Sequence, residues 1–423
     1  MASAGSELGA APPPSDPDHA GAAHFTGPLL AVGQDWCYSR LRERHGGVAP
    51  VLLDGDVPAW LVLGYRELHR VTSDPLLFGR DCRRWNSWHR VPDDWPLMPY
   101  VGWTPSVMFT EGAEHQRRAG AVGHALDATD RAQLAARCAE VADELIDTFA
   151  AAGLADLIAQ YAQKLPIRAL TWMYGLADAA IPELARDIAD SLDAGPAATE
   201  AHQRLYLRMQ QLVRDARRAP GPDLPSRLLA HPAGLTDDEA AIDLLVVLAM
   251  AQQATAGWIG NTLHRMLVDD EFSLALQGGR RSAGQALNEV LWAGPPVQNF
   301  IGRWAAQDTE LGGCPVKRGD LLILGLAAAN SDPQVQPGSA AEAAANRAHL
   351  SFGHGEHGCP FPAPELAGVI ARTAVEVLLD RLPDLELSVP AETLQWRPSV
   401  WMRGLLALPV SFTPAGPAAL ALS

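Results

Sequence analysis

Phe352-Gly353-His354-Gly355-Glu356-His357-Gly358-Cys359-Pro360 is the stretch around which the chain is organised. Three glycines within six residues let a backbone loop approach a ligand closely, because glycine has no Cβ and tolerates positive φ. The loop delivers one cysteine. A helix-like run, Pro364-Glu365-Leu366-Ala367-Gly368-Val369-Ile370-Ala371, begins a few residues later. A thiolate there gains from the positive N-terminal end of that helix and from loop N–H donors. The placement suits a soft anionic ligand on one face of a flat cofactor, with Phe352 covering the near side. Two other readings stay open at this point. In one, the cysteine is coincidental in a glycine-rich loop; in the other, His354, His357 and Cys359 form a zinc site, which needs a fourth ligand and usually shows paired spacings.

The run resembles the haem-thiolate signature of the cytochrome P-450 monooxygenases: Phe, two residues, Gly, three residues, Cys, one residue, Gly. Phe352, Gly355 and Cys359 match it, and Phe361 stands at the last glycine. The resemblance implies a mainly α fold with small β-sheets, in which a long central helix crosses one large domain. It implies haem b as cofactor, with Cys359 as axial ligand of the iron and Phe352, Gly353 and His357 against the group. A cysteine ligand pushes electron density onto iron and favours O–O cleavage.

Composition bounds the rest. The chain has 423 residues, is 48% hydrophobic and carries a formal charge of −16. That size supports a large core, and the charge argues against nucleic acid and anionic membrane surfaces. Cys37, Cys82, Cys138, Cys314 and Cys359 are scattered without a CxxC, which fits a reducing cytoplasm. Residues 1–25 read as a disordered leader rather than a signal peptide, and residues 26–423 as the haem-thiolate domain. The longest apolar run, Leu244 to Ala251, is far short of a membrane span, so a soluble protein without an anchor is expected.

In chain order, two apolar runs flank Asp54-Gly55-Asp56 and predict a β-hairpin. Arg83 to Trp103 carries Trp85, Trp88, Trp95 and Trp103 and reads either as a loop over a pocket or as an ordinary surface loop. Glu111 to Gly120 resembles the family's C helix, which implies that His115 holds a haem propionate. The arginine expected four residues on is Ala119, leaving Arg117 or Arg118 to reach instead, or to lie on a solvated face. Thr236 with Glu239 is a capping box that opens a helix of about 30 residues, ~45 Å long. Within it, Ala251-Gln252-Gln253-Ala254-Thr255 resembles the oxygen-binding run of the I helix. Thr255 takes the catalytic threonine's place, unless it merely back-bonds to a carbonyl four residues earlier. Ala254 replaces the acid, and Gln252 or Gln253 can order water.

Glu289-Val290-Leu291-Trp292 resembles the Glu-x-x-Arg ion pair with Trp in place of Arg, like a bacterial branch that has lost it. Glu289 then needs another partner, with Arg347 as candidate, or lies exposed. Arg303, in a strand from Gln298 to Trp304, is the remaining propionate candidate. A turn-and-strand pattern follows to Leu324, and Trp396 to Phe412 predicts a terminal hairpin. Arg117, Arg118 and Arg372 are the expected docking residues for an electron donor.

The resemblance thus implies a monooxygenase taking electrons from NAD(P)H through a ferredoxin and ferredoxin reductase. It would insert one oxygen atom of O2 into an apolar small molecule. The segments expected to set specificity are Arg83 to Trp103, Ala151 to Leu235 and the terminal hairpin. Because several motif positions differ, the alternatives are a haem-binding sensor or accessory protein with little turnover, and a helical interaction protein without haem.

Overall fold

A computed structural model describes residues 19, 21–192, 196–414 and 416. The predicted hairpin is present. Val48–Leu53 (β2) and Val57–Val62 (β3) pair antiparallel around the Asp54-Gly55-Asp56 turn, and all their residues are buried. Ahead of them, Ala23–His24 (β1) pairs parallel with β2. The expected leader lies mostly outside the described residues, but the chain already joins the sheet at Ala23, and Phe25 is buried.

Phe78–Gly79 (β4), Phe300–Ala305 (β6) and Leu321–Leu324 (β9) complete a six-stranded sheet in the order β1-β2-β3-β9-β6-β4. Leu154–Asp156 (β5) lies in a second sheet with Glu386–Leu387 (β10) and Pro409–Ser411 (β11). Thr309–Leu311 (β7) and Cys314–Val316 (β8) form a small hairpin across Gly312-Gly313. The C-terminal run does not close as one hairpin. Trp396 bridges Leu405, and β11 then leaves to pair with β5 and β10.

Five helices position the site: Tyr65–Ser73 (α1), Gly112–Asp127 (α2), Asp237–Val268 (α3), Ala283–Ala293 (α4) and Ala363–Arg381 (α5). The capping box at Thr236 and Glu239 opens α3 as expected. Its 32 residues span about 48 Å. By length and composition α3 could cross a membrane, which the short run Leu244 to Ala251 did not suggest. Its buried residues pack instead into the main core, against α4 and α5. A second and a third cluster of apolar side chains lie against the six-stranded sheet.

The tryptophan-rich segment belongs to that sheet-side core. The Trp85 ring lies 4.9 Å from Trp88, 5.8 Å from Trp95 and 6.5 Å from Trp304, the next-to-last residue of β6. The segment does not line the cavity described below; Trp85 and Trp95 are buried, while Trp103 stays 40% exposed.

Candidate active site

The cysteine loop is a tight backbone turn. Gly353 N donates to Leu350 O at 2.8 Å, Gly358 N to Gly355 O at 3.0 Å, and Cys359 N to Phe352 O at 2.8 Å. Gly355 has φ +72°, and a Cβ there would stand 2.1 Å from the Thr72 carbonyl oxygen of α1. No other residue fits. The loop is thereby wedged against α1, and α5 starts four residues beyond Cys359. The exposed surface of Cys359 faces a cavity while protein encloses the rest, so burial pushes its thiol up to about 12. A bound metal ion would reverse this, because a coordinating thiol is deprotonated outright. Phe352 lies edge-on to Trp258 of α3, with ring centres 5.8 Å apart. Phe361, at the signature's last glycine, is 66% exposed.

The cavity has a volume of about 430 Å³ and runs between this loop and α3. Val246, Met250 and Ala254 of α3, with Val297 and Phe300, give it apolar walls, and Val107 and Met108 add a loop wall. Among the described residues, none of its lining comes from the three segments expected to set specificity. Thr255 lines it too. Thr72, Thr171 and Thr262 each back-bond to the carbonyl four residues earlier, at 2.9, 2.7 and 2.8 Å. Among the described residues no such bond holds the Thr255 hydroxyl, which is therefore available at the cavity wall. Gln252 turns away: its Nε2 donates to the Gln163 carbonyl at 2.8 Å, and it is not part of the cavity lining. Gln253 is not part of the lining, and no carboxylate of α3 is either.

One end of the cavity is cationic. Arg303 reaches it from β6 and Arg80 from the residue after β4, and both are buried. Backbone geometry makes room: β6 and β9 shift register between Phe300 and Arg303, and a Cβ on Gly302 would fall 1.4 Å from the Leu322 oxygen. Arg80 donates to the Gly302 carbonyl at 2.7 Å and to the Met108 carbonyl at 2.9 Å. Arg303 makes a 3.4 Å contact with the same Gly302 carbonyl, and no ion pair holds it among the described residues. Burial pushes Arg303 down to about 10, and burial, then Arg303, lowers Arg80. Arg303, buried beside the cavity with no ion pair among the described residues, calls for an anionic ligand, because an uncompensated buried charge is costly.

The predicted histidines stand at the same end. His115 places Nδ1 2.8 Å from the Val107 carbonyl and Nε2 3.0 Å from that of Glu356. Its ring centre is 3.9 Å from that of His357, whose Nε2 donates to the Thr110 carbonyl at 2.9 Å. Burial, then Arg303 and Arg80, push His357 down to about 2, so it is neutral.

Sequence reasoning missed Arg80, which nothing local distinguishes from Arg83 and Arg84. It misplaced the C-helix arginines. Arg117 pairs with Glu114 and Glu239, and Arg118 is buried in a two-pronged pair with Asp243, with bonds of 2.8 and 2.6 Å. Neither lines the cavity, and Arg118 cannot serve on a docking face. Glu289 is buried and pairs with Arg265 and Arg281, not with the exposed Arg347. The zinc set also fails to assemble. His354 stacks on His69 at 4.3 Å, and the residues within metal-binding reach of one another are His115, Glu356 and His357.

A thiol on one cavity wall and buried guanidinium groups at one end fit a flat ligand with a metal centre and anionic side groups. Haem is such a ligand.

No family model matches the chain. It is 31% identical over 365 residues to a mycinamicin IV hydroxylase/epoxidase of Micromonospora griseorubida, covering 83% of this chain and 89% of that one. It is 29% identical over 388 residues to cytochrome P-450 107B1 of Saccharopolyspora erythraea, covering 88% and 93%. The solved structure of CYP154C4 from Streptomyces sp. W2061 superposes with a TM-score of 0.83 at 27% identity, covering 94% and 98%. Sequence, fold and site agree: the chain belongs to the cytochrome P-450 family of haem-dependent monooxygenases.

Proposed function

We propose that this protein hydroxylates or epoxidises an apolar, uncharged small molecule, with reducing equivalents that originate in NAD(P)H and arrive through a ferredoxin and its reductase. Cys359 would ligate the haem iron, with Phe352 and Gly353 shaping the loop around the sulfur. Arg303, Arg80, His115 and His357 would hold the haem carboxylates. Bound haem supplies the O2-activating, one-electron chemistry. The apolar walls exclude water and favour a substrate without charge. Arg372 stays exposed on α5 as a contact for the donor, and the five free thiols suit the cytoplasm.

The observation that carries the catalytic reading is the Thr255 hydroxyl, left without a partner on the cavity wall opposite no competing acid of its own helix. It can accept and pass a proton at Oγ, whereas Ala254 offers no titratable group. That same absence favours a second reading, a haem protein of this fold with little turnover. A substrate screen by haem spin-state shift, followed by product yield per electron pair, separates the two. Shifted spin state with product supports the enzyme, and shifted spin state without product supports the binder.

A further inference from the structure

Glu356 is the carboxylate in the cavity lining, three residues before Cys359. Its Oε1 is buried without a hydrogen-bond partner. One of its carboxylate oxygens lies within 4.8 Å of ring nitrogens of both His115 and His357. Arg303 is held up by the negative charges of Glu111 and Glu356. Glu111 is engaged elsewhere, accepting from Arg80 N, from Asp81 N at 2.9 Å and from Arg84 at 2.7 Å. Glu356 is the acid left over for the cationic end of the cavity.

A buried carboxylate oxygen without a donor is costly, and a bracing role would have satisfied it. The trio of His115, Glu356 and His357 has the spacing for a metal ion, but its surroundings oppose one. Arg80 and Arg303 make the potential there positive, and three of the four ring nitrogens already face carbonyl oxygens. A carboxylate beside those guanidinium groups has a different consequence. It competes with the carboxylates of an incoming haem for Arg303. With haem bound, the negative charge of Glu356 in the same cavity would favour the more positive, oxidised state of the iron. In a low-dielectric site that interaction is strong.

We propose that Glu356 sets the haem reduction potential, holding it low, and weakens haem retention by competing for Arg303. The proposal rests on the haem reading above. Its test is the midpoint potential and the rate of haem transfer to an acceptor apoprotein for wild type, Glu356→Gln, Glu356→Asp and the surface control Glu183→Gln. Glu356→Gln is expected to raise the ferrous-to-ferric ratio at fixed potential about tenfold, a positive shift of ~59 mV for one electron, and to slow haem loss. Glu356→Asp and Glu183→Gln are expected to stay near wild type. A Gln variant with unchanged potential, or an Asp variant shifted as far as Gln, would overturn the proposal. So would a Gln variant that folds and binds no haem. Wild type without a thiolate-ligated haem spectrum would overturn the functional reading itself, before any potential is measured.

Discussion

The indole Nε1 of Trp292 donates a 2.8 Å hydrogen bond to the carbonyl oxygen of Asn346. The same oxygen accepts from Asn288 Nδ2 at 2.7 Å, which also bonds the Ala343 carbonyl at 2.7 Å. Trp292 stands where an arginine of a Glu-x-x-Arg pair would be, and it keeps α4 tied to the segment that leads into the cysteine loop. Trp292→Phe, which loses that bond, should cost about 1 kcal/mol. Trp292→Arg places an unpaired charge among buried groups and should cost about 3 kcal/mol. Urea midpoints at unchanged slope measure both, and an arginine variant more stable than wild type would show a degenerate ion pair rather than a rebuilt one.

The buried Glu289 carboxylate now depends on two arginines, Arg265 at 2.8 Å and Arg281 at 2.6 Å. Burial raises its pKa, and the two guanidinium groups oppose that rise. Arg281→Met should therefore cost about 2 kcal/mol, because it removes one charge-assisted hydrogen bond and leaves the buried carboxylate with Arg265 alone. The double variant Arg281→Met with Glu289→Gln should recover part of the loss. Additive losses in this double-mutant cycle would mean that the two residues are not coupled.

Local pattern carried much of this fold. The Asp54-Gly55-Asp56 hairpin, the capping box at Thr236 and the glycine spacing of the cysteine loop are written within a few residues of one another. What the sequence did not reveal depends on partners far away along the chain. Arg118 meets Asp243 across 125 residues, and Arg80 meets Gly302 across 222. Trp85 packs on Trp304 of β6, and Trp88 and Trp95 pack on Trp85, so the burial of Trp85 follows from sheet order as well as from its own neighbourhood. Gln252 has the composition of a water-ordering residue, but its direction is fixed by the carbonyl of Gln163, 89 residues away.

His349 gives the stability curve an acid limb. Its ring packs edge-on to Trp292 and beside Phe352, each at 6.0 Å, and burial, then Arg347, push it from 6.5 down to about 4. In the unfolded chain the imidazole takes up its proton near pH 6.5, while the folded one resists until about pH 4. The unfolded state therefore binds more protons between those values, and stability is lost as pH falls through that window. The loss from this group should approach ~3 kcal/mol at pH 4. His349→Phe should flatten the urea midpoint between pH 6.5 and 4, and an unaltered slope there would remove His349 from the account.

Thr255 should govern how well electrons are converted into product. Thr255→Ala should lower product and raise peroxide per electron pair several-fold, while Thr255→Ser should stay close to wild type. Ala254→Asp introduces a titratable group one residue away and should raise product yield. If Thr255→Ala couples as tightly as wild type, the proton reaches the cofactor by another route.

The central claim is that one thiol, Cys359, holds the haem iron. Cys37, Cys82 and Cys138 are buried away from the cavity, and Cys314, also outside its lining, contacts the Val48 carbonyl of β2. The most direct measurement is the absorption spectrum of the reduced carbon monoxide adduct for wild type, Cys359→Ala and Cys314→Ala. The thiolate-type band should be present in wild type and Cys314→Ala and absent in Cys359→Ala. An unchanged thiolate-type band in Cys359→Ala would contradict the account.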